Sequence, residues 1–407
     1  MKILRIIARL NVGGPARHVV WLTDELQDEE FRSVLIAGTV PDGEEDMSYL
    51  ANKLGVKPIY IEEMSRELSP KDAISLFKIY RVMKRERPDI VHTHTAKAGT
   101  VGRAAAFFYR WLTWNTLIGR PRKVRIVHTF HGHVFHSYYG NLKTKVFLTI
   151  ERMLARFATD TIITISPQQC KEIHENFRVG SSKQFEIVPL GIDLKPFAVP
   201  ESRRAVFRGE INADDDELLI GFVGRLTEIK NISLFLRIAE LYGKNNAGLP
   251  RLRFIIAGDG HLRKSLENEA NERGISGLIT FLGNRTDTET VYAGLDVVAL
   301  TSFNEGTPLS LIEAMASKRP VISTAVGGVV DLLGKAEDEH EGFTVCERGV
   351  SVITQSAESF FNGLIYLAKN EKLRERLSAD GFEFVENDYS KERLVMDIKD
   401  LYRRLMR

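Results

Sequence analysis

The chain has 407 residues and a formal net charge of +2, with 43% hydrophobic and 27% charged residues. A chain of this length is expected to form two or three domains, and its composition excludes collagenous, low-complexity and largely disordered proteins. Its two cysteines, Cys170 and Cys346, exclude a disulfide framework and fit a reducing compartment, so we expect each to be a small buried side chain.

Short apolar runs alternate with longer amphipathic segments in the first part of the chain, which predicts strands and helices in turn. In chain order these are strand 3–7, helix 15–27, strand 31–37, helix 47–54, strand 90–94, helix 100–110, strand 125–130, helix 143–158 and strand 161–166. Strands separated by helices indicate a parallel sheet. Because Arg5 and Arg9 interrupt the first apolar residues, and no run of about 20 apolar residues follows, we expect a cytoplasmic protein that does not span a membrane.

A second series of alternating elements begins at residue 218. Its predicted strands are 218–223, 253–257, 279–282, 296–300 and 321–323, and its predicted helices are 232–242, 261–273 and 309–316. Between the two series, residues 188–193 lead into a proline-punctuated stretch ending at Pro200, which is typical of an interdomain connection. The sequence therefore predicts an α/β protein of two doubly wound domains that face each other across a cleft, with ligands at the carboxyl ends of the strands.

The first candidate binding element is the loop that contains Gly13 and Gly14, between the first strand and the first helix. Glycines there let the backbone approach a phosphate or sugar, and a plain strand-to-helix turn is the alternative. The spacing of a dinucleotide fingerprint is absent from this loop, and no Gly-Lys-Ser/Thr segment of a phosphate-binding P-loop occurs in the sequence. Phosphoryl transfer of the P-loop type is therefore not expected.

Four histidines, His128, His131, His133 and His136, lie at the end of strand 125–130 and after it. No Asp, Glu or Cys lies near them in sequence to complete a metal site, and strand alternation points His128 away from His131, so we do not expect a bound metal. A histidine at a strand end can instead donate a hydrogen bond to a substrate hydroxyl or transfer a proton, with a purely structural role as the alternative.

Gly224, Arg225 and Lys230 follow the first strand of the second series. The guanidinium of Arg225 can bind two oxygens and the ammonium of Lys230 acts as a point charge, so the two cations can neutralise a leaving diphosphate. This is electrostatic stabilisation of charge that develops in the transition state, and it needs no proton transfer. Two ordinary surface cations are the alternative.

Two glutamates lie in residues 303–316. Glu305 ends a loop after strand 296–300, the amides of residues 306–309 lie at a predicted helix start, and Glu313 lies inside that helix among apolar residues. A carboxylate in an apolar helix needs hydrogen-bond donors, which ribose hydroxyls supply. Glu305 can hold sugar hydroxyls or stabilise positive charge at a reacting carbon.

These motifs resemble those of the retaining family 4 glycosyltransferases, which include enzymes of bacterial surface-polysaccharide and lipid-linked glycan synthesis. Glu305 and Glu313 with seven residues between them resemble the donor-site motif of that family, and Arg225 and Lys230 resemble its diphosphate-binding cations. Further similar segments are residues 13–14, 129–131, 188–193, 257–260 and 281–283. The resemblance implies the GT-B fold of two Rossmann-like domains. It also implies an acceptor-binding domain of residues 1–190, a nucleotide-sugar-binding domain of residues 191–389, and a last helix within residues 390–407 that crosses back to the first domain.

The resemblance also implies a role for each matching residue. Arg225 and Lys230 would hold the donor diphosphate, and Glu313 would bind the ribose. His131 would contact the sugar near the reacting carbon, and Gly14 would let the first loop close over the phosphates. The other expected donor-binding residues are Gly224 beside the cations, Gly283, Asn284 and Arg285 near the nucleobase, and Glu305, Gly306, Thr307, Pro308 and Leu309 around the donor sugar. The expected catalytic residues are Glu305, His131, Arg225 and Lys230.

The implied activity is that of a hexosyltransferase that retains the configuration of the transferred sugar. No carboxylate in the motifs is an obvious nucleophile, so the implied mechanism is front-face displacement, in which the leaving phosphate oxygen helps to deprotonate the acceptor hydroxyl. A UDP-sugar is the most common donor in the family and a GDP-sugar the next, and neither a cofactor nor a metal is implied. The acidic run at residues 214–216 lies in a polar loop, and we interpret it as solvated charge.

Basic residues are concentrated in the first half of the chain. Residues 1–195 have 29 Lys and Arg against 21 Asp and Glu, and residues 90–156 contain eleven basic residues and one acid, Glu151. Within that stretch the aromatic residues Phe107, Phe108, Tyr109, Trp111 and Trp114 are mixed with Arg103, Arg110, Arg120, Arg122, Lys123 and Arg125. This composition favours an anionic membrane surface, so we expect peripheral binding that reaches a lipid-linked acceptor. Aromatic residues in a core and a basic surface without a partner are the alternatives.

Other functions are consistent with parts of the sequence. A sugar-nucleotide epimerase shares the two-domain architecture, and a non-catalytic nucleotide-sugar-binding protein would bind the donor without turnover. The missing glycine fingerprint disfavours an NAD-dependent dehydrogenase. A nucleic-acid-binding role would rest on the basic stretch alone and is not expected.

Overall fold

The computed structural model describes residues 1–11, 14–40, 46–64, 70–131, 141–198, 201–353 and 355–407. Gly13, Gly132, His133 and His136, which the sequence analysis considered, lie outside the described residues. The chain divides into two compact units, one formed by Met1–Gly191 with Lys391–Arg407 and the other by Ile192–Ser390. The sequence analysis placed the corresponding boundaries at residues 190/191 and 389/390.

The first unit contains a seven-stranded parallel sheet. In chain order its strands are β1 (Lys2–Ile7), β2 (Arg32–Ala37), β3 (Ile59–Tyr60), β4 (Ile90–His94), β5 (Arg125–Thr129), β6 (Thr161–Thr164) and β7 (Phe185–Ile187), and their order in the sheet is β3-β2-β1-β4-β5-β6-β7. The helices between them are α1 (Gly14–Glu25), α2 (Ser48–Lys53), α3 (Asp72–Glu86), α4 (Ala96–Trp111), α5 (Asn141–Phe157) and α6 (Pro167–Lys171). The parallel sheet that the sequence predicts is confirmed.

The second unit contains an eight-stranded sheet. Its strands are β8 (Leu218–Val223), β9 (Leu252–Ala257), β10 (Ile279–Gly283), β11 (Val297–Leu300), β12 (Val321–Thr324), β13 (Ala336–His340), β14 (Phe343–Cys346) and β15 (Gly349–Val352), in the order β10-β9-β8-β11-β12-β15-β14-β13. The pairing is parallel from β10 to β15 and antiparallel between β15, β14 and β13. Its helices are α7 (Glu201–Glu210), α8 (Ile232–Asn245), α9 (Arg263–Glu272), α10 (Thr288–Gly294), α11 (Leu309–Ala316), α12 (Val329–Leu333), α13 (Ala357–Lys369) and α14 (Glu371–Asp388). The antiparallel edge was not predicted from the sequence.

The last helix, α15 (Lys391–Met406), belongs to the first unit. Its buried residues Leu394, Ile398 and Leu401 recur every three or four positions and pack with Ile3 of β1. Arg393 anchors the start of the helix by donating hydrogen bonds to the backbone carbonyls of residues 189 and 190, at 2.8 and 2.6 Å. The expected return of the last helix to the first domain is therefore confirmed.

The side chains of β1 show how the first sheet is buried on both faces. Leu4 and Ile6 pack with Val101 of α4 and other apolar residues of α3 and α4. Ile3 instead packs with Leu22 of α1 and with α15. Because successive strand residues point to opposite faces, helices must cover both faces of this sheet. This is the doubly wound architecture that the sequence predicts.

Several residues that the sequence analysis placed on a membrane-facing surface lie inside the first unit. Arg103 on α4 and Glu151 on α5 are buried, and Nη2 of the arginine lies 2.6 Å from Oε2 of the glutamate. Tyr109 is also buried, and Arg110 is ion-paired with Asp160. The surface interpretation is wrong for these residues, because α4 directs their side chains toward the sheet and its neighbours.

None of the helices in the described part of the chain has the length and apolarity that crossing a bilayer requires.

Both cysteines are free thiols. Cys346 is buried, as expected, whereas Cys170 is only partly buried. Burial raises the pKa of both thiols, so each is protonated at neutral pH.

Candidate functional site

The predicted cations and glutamates of the second unit follow two neighbouring strands. Residues 224–230 come directly after β8, and residues 301–308 come directly after β11. The two strands pair in parallel. Their carboxyl ends therefore lie at the same edge of the sheet, where open α/β sheets bind ligands.

An ion pair joins the two loops. Nζ of Lys230 lies 2.5 Å from Oε1 of Glu305, and the hydroxyl of Ser302 donates a hydrogen bond of 2.5 Å to the same oxygen. The hydroxyl of Thr301 donates a further hydrogen bond of 3.0 Å to the backbone carbonyl of Lys230. The cation and the carboxylate are thus held in place by both side-chain and backbone contacts.

Arg225 differs from Lys230 because its side chain is exposed and has no hydrogen-bond or ion-pair partner among the described residues. The backbone beside it is tightly packed. A Cβ atom at Gly258, where φ is +149°, would lie 1.9 Å from the carbonyl oxygen of Gly224, so only glycine permits this approach. Arg225 therefore extends its charge into solvent from a firmly placed loop.

Glu313 lies on α11, the helix that follows the loop of Glu305. The phenol of Tyr292 donates a hydrogen bond of 3.2 Å to its Oε2. Tyr292 is buried, and burial followed by the charge of Glu313 raises the pKa of Tyr292 well above its usual value. The phenol is consequently a permanent donor at neutral pH, and it orients the carboxylate.

The segment from Glu305 to Leu309 is held against a neighbouring loop. The amide of Gly328 donates a hydrogen bond of 3.2 Å to the carbonyl of Glu305. A Cβ atom at Gly328 would lie 2.0 Å from the carbonyl oxygen of Gly306. Thr307 and Pro308 are buried, and α11 begins at Leu309. This packing fixes the backbone that the sequence analysis assigned to the donor sugar.

The predicted nucleobase segment, residues 283–285, begins at Gly283, which is the last residue of β10 in the same sheet. Arg285 is ion-paired with Asp287 at 2.8 Å and with Glu210. These carboxylates raise the pKa of Arg285, and they occupy its guanidinium. Gly283 has a φ of +72°, and its carbonyl accepts a hydrogen bond of 2.8 Å from the amide of Gly258. The side chain of Asn284 is exposed.

Gly14 and His131 lie in the first unit. Gly14 begins α1, directly after the loop that joins it to β1. His131 follows β5, and its Nε2 lies 2.9 Å from Nδ1 of His94, the last residue of β4. The ring of His18 on α1 lies 4.9 Å from that of His131. His18 and His94 were not predicted as site residues, because both are far from His131 in the sequence. The signal for His94 was that β4 and β5 pair in parallel, so their ends lie side by side.

Burial keeps these imidazoles neutral. It lowers the pKa of His131 to about 4. It also lowers the pKa values of His94 and His18 well below the usual range, and neighbouring histidines and Arg5 add to the effect. His128 lies on the α4 side of the sheet, where its Nδ1 is 2.8 Å from the hydroxyl of Thr93, so the predicted separation from His131 is confirmed.

A second candidate surface follows α4 in the first unit, and we call residues 111–122 the tryptophan loop. Its 3-10 helix is Trp114–Ile118. The exposed fractions of Leu112, Trp114, Leu117 and Ile118 are 62%, 87%, 78% and 69%. A cavity of about 640 Å³ adjoins these residues and is also lined by Lys84, Arg120 and Arg122. Exposed apolar side chains beside cations are typical of surfaces that contact anionic membranes.

Comparison with known proteins identifies the family. The profile of Glycosyltransferase Family 4 matches residues 12–196, and that of Glycosyl transferases group 1 matches residues 203–384. The chain is 28% identical over 349 residues to the UDP-Gal:alpha-D-GlcNAc-diphosphoundecaprenol alpha-1,3-galactosyltransferase of Escherichia coli. That match covers 85% of this chain and 84% of the relative.

Two solved structures share the fold. HepE of Anabaena, in complex with UDP, has a TM-score of 0.78 at 18% identity, covering 99% of this chain and 100% of that one. The sucrose-phosphate synthase of Thermosynechococcus elongatus has a TM-score of 0.72 at 21% identity, covering 100% of this chain and 99% of that one. The GT-B fold of two Rossmann-like domains is thus confirmed. Together with the two matched profiles, it shows that the chain belongs to the GT-B glycosyltransferases that join a Family 4 domain to a group 1 domain.

Proposed function

We propose that the protein is a retaining glycosyltransferase that transfers a hexosyl group from a UDP-sugar to a hydroxyl of a glycan or lipid-linked acceptor. The observation that carries the proposal is the Lys230–Glu305 ion pair beside the exposed Arg225, at the carboxyl ends of β8 and β11. It combines two cations suited to a diphosphate with a carboxylate suited to sugar hydroxyls. The substrate classes are supported by the UDP-Gal and diphosphoundecaprenol in the name of the Escherichia coli relative and by the UDP in the HepE structure.

The reaction is a front-face displacement. The bond between the anomeric carbon and the leaving phosphate oxygen breaks, the acceptor oxygen bonds to the same face of that carbon, and the acceptor proton passes to the leaving diphosphate. Arg225 and Lys230 stabilise the negative charge that grows on the diphosphate. His131 and Glu305 position the sugar. Because side chains supply the positive charge, the reaction needs neither a metal ion nor a cofactor.

The remaining donor contacts are part of the same proposal. Glu313, oriented by Tyr292, accepts hydrogen bonds from the ribose hydroxyls. The backbone amides of Gly306, Thr307 and Leu309 are proposed to donate to the donor sugar, and Gly224 lets the chain pass close to the diphosphate. Gly283, Asn284 and Arg285 line the nucleobase, with Asn284 supplying the exposed polar side chain. Gly14, in the first unit, would let the loop between β1 and α1 close over the phosphates.

The test is donor binding and hydrolysis across UDP-, GDP- and ADP-sugars in the presence of EDTA. We expect one UDP-sugar to bind selectively and to be hydrolysed slowly, and we expect Lys230→Ala and Glu305→Ala to abolish hydrolysis. Lys244→Ala is the matched control, because Lys244 is an exposed partner of Glu240 on α8. Binding without hydrolysis or transfer would indicate a non-catalytic binding protein, and interconversion of donors without acceptor would indicate an epimerase. An inverted anomeric configuration in the transfer product, observed by NMR, would contradict the retaining mechanism.

We also propose that the protein works in the cytoplasm as a peripheral protein at the inner face of the membrane, where a lipid-linked acceptor would lie. The tryptophan loop supports this proposal, because Trp114, Leu117 and Ile118 expose large apolar side chains next to Arg120 and Arg122. Apolar residues can enter the interface while the cations contact anionic headgroups.

Co-sedimentation with vesicles tests the membrane proposal. We expect binding to vesicles that contain phosphatidylglycerol, weaker binding to pure phosphatidylcholine, and release by salt. Trp114→Ser with Leu117→Ser should weaken binding, whereas Met153→Ser, which changes an exposed apolar residue on α5, should not. Equal binding to both vesicle types, or binding to neither, would sink this proposal and leave the transferase assignment untouched.

A further inference from the structure

Three histidines from three different elements meet in the first unit. His18 lies on α1, His94 ends β4 and His131 follows β5. Each offers one ring nitrogen, and these three nitrogens all lie within 4.8 Å of one another. Among the described residues, no other group of three or more His, Cys, Asp and Glu side chains meets this spacing.

Most of the ring nitrogens in this cluster are buried without a partner. Both nitrogens of His18, Nε2 of His94 and Nδ1 of His131 make no hydrogen bond with the described residues. Nearly all buried polar atoms in proteins are hydrogen-bonded, so several unpartnered nitrogens at one place call for an explanation. Nδ1 of His94 and Nε2 of His131 contact each other, so one of them carries a proton. An ion bound to both atoms would shift that proton to the unpartnered nitrogen of the same ring, and a nitrogen of His18 would complete the set.

We propose that His18, His94 and His131 form a binding site for a transition-metal dication of the Zn²⁺ class, and that the bound ion inhibits sugar transfer by withdrawing His131 from the donor. The second half of this inference rests on the proposed role of His131 at the sugar. The ion takes no part in the proposed transfer, because Arg225 and Lys230 balance the charge of the donor diphosphate. The reaction therefore remains metal-independent, and the ion acts as a reversible inhibitor.

The ring nitrogens, which lie within 4.8 Å of one another, bracket the ligand spacing of a three-histidine zinc site. Tetrahedral zinc with Zn–N bonds of about 2.0–2.1 Å places its nitrogen ligands roughly 3.3–3.4 Å apart. Nδ1 of His94 and Nε2 of His131 are 2.9 Å apart, which is shorter than that spacing, so the two rings must separate slightly to admit the ion. The ring centroids of His18 and His94 are 5.8 Å apart, and those of His94 and His131 are 5.1 Å apart.

The protonation state of the cluster suits metal binding. Burial lowers the pKa values of all three histidines, so the rings are neutral at pH 7. Each neutral ring retains one N–H and offers its other nitrogen to the ion. Binding then forms only dative bonds, and it involves neither a net release of protons nor a change in oxidation state.

Nearby positive charge limits the affinity. The buried guanidinium of Arg5 lowers the pKa values of His18 and His94, and Arg393 also lowers that of His18. No nitrogen of the Arg5 guanidinium has a hydrogen-bond partner among the described residues. These cations repel a dication and favour an anionic fourth ligand such as chloride or hydroxide. We therefore expect weaker binding than in a structural zinc site, where several thiolates neutralise the ion.

The binding test uses the full chain, freed of metal with EDTA and exchanged into chelator-free buffer. Titration with Zn²⁺ against a chromogenic chelator should give one ion per chain, and Co²⁺ should give the visible absorption of a tetrahedral complex. His18→Gln and His94→Gln should each weaken binding at least tenfold, while His261→Gln, at an exposed histidine of the second unit, should not. Unfolding midpoints in EDTA identify any variant that fails to fold. Zinc binding that is absent from the wild type, or that is unchanged in both folded cluster variants, would overturn the site.

The activity test separates this inference from the proposed function. Zn²⁺ should inhibit UDP-sugar hydrolysis by the wild type over the concentration range in which it binds, and His18→Gln should require at least ten times more Zn²⁺ for the same fractional inhibition. Zinc bound through His18 without inhibition would overturn the inhibitory role. If the wild type shows no hydrolysis in EDTA, the proposed function fails, while the chelator titration still decides whether the metal site exists.

Discussion

The ammonium nitrogen of Lys230 lies 2.5 Å from a carboxylate oxygen of Glu305, although the two residues are 75 positions apart in the chain. Parallel pairing of β8 with β11 brings their loops together, and Ser302 hydrogen-bonds to the same carboxylate. The two charges are therefore positioned by the fold. Because both charged groups are already in place, no free energy is needed to reorient them when charge develops in a reaction. This is the basis of electrostatic catalysis.

The first prediction concerns the coupling of these two residues. Lys230→Ala and Glu305→Ala should each lower kcat/KM for the UDP-sugar by about 10²–10³-fold, because each removes a group that acts on the reacting centre. The double variant should fall little further than the worse single variant, since the residues act as a unit. Steady-state kinetics of all four proteins provides the measurement. Fully additive losses would show that the ion pair has no functional role.

The second prediction concerns the packing beneath the donor segment. Gly328→Ala places a Cβ atom 2.0 Å from the carbonyl oxygen of Gly306, so residues 305–308 must move. We expect weaker UDP binding and a loss of about 1–3 kcal/mol in the free energy of unfolding. Gly209→Ala on α7 is the control, because its Cβ meets no atom within 4 Å and helical alanine is favoured by about 0.5–1 kcal/mol. Calorimetric titration with UDP and urea unfolding make the comparison, and unchanged UDP affinity in Gly328→Ala would contradict it.

Periodicity was sufficient to predict several of the buried elements. Residues 90–94, 218–223 and 309–316 are predicted with the bounds that β4, β8 and α11 have in the structure, because burial requires apolar residues at a fixed spacing. The edge strand β13 could not be found in this way. Its sequence is Ala-Glu-Asp-Glu-His and four of its five residues are exposed, so it has the composition of a loop. Its strand structure depends on pairing with β14, which no local pattern encodes.

Site residues could be predicted only where they belong to a sequence motif shared with a known family. Glu305, Glu313, Arg225 and Lys230 were identified from motif spacing, and their roles in binding and catalysis stay predictions. Contacts with Ser302, Tyr292, His18 and His94 depend on which strands are neighbours, and spacing in the chain does not determine this. For Arg103 the prediction itself was wrong. Because Arg103 lies in a basic stretch of the sequence, it was predicted to be exposed, but Glu151 of α5 forms a buried ion pair with it.

The third prediction concerns that buried pair. Arg103→Ala should lower the free energy of unfolding by about 3–5 kcal/mol, because it leaves the Glu151 carboxylate buried without its charged partner. Replacing both residues, as Arg103→Met with Glu151→Leu, should recover most of the loss. Arg403→Ala is the control, since it breaks an exposed pair with Glu30 and should change the free energy of unfolding far less than Arg103→Ala does. Urea unfolding monitored by circular dichroism gives the free energy of unfolding of all three variants. A double variant as unstable as Arg103→Ala would contradict the prediction.

The fourth prediction concerns the dependence of stability on alkaline pH. Burial and the charge of Glu313 raise the pKa of Tyr292 above its usual value near 10.0. A raised pKa means that the unfolded chain loses this proton first, so the contribution of Tyr292 is fully present below pH 10 and is lost as the pH rises above it. Tyr292→Phe removes the titrating group and keeps the ring.

The free energy of unfolding of the wild type, relative to that of Tyr292→Phe, should therefore fall above pH 10 by up to about 1.4 kcal/mol per pH unit. Urea unfolding at closely spaced pH values between neutrality and the alkaline limit of the fold gives the slope. Tyr49→Phe, at an exposed tyrosine, should leave the profile at that of the wild type. A constant difference between the wild type and Tyr292→Phe across this range would mean that the phenol is not buried against Glu313. The proposed role of Tyr292 in orienting the carboxylate that binds the ribose would then be wrong.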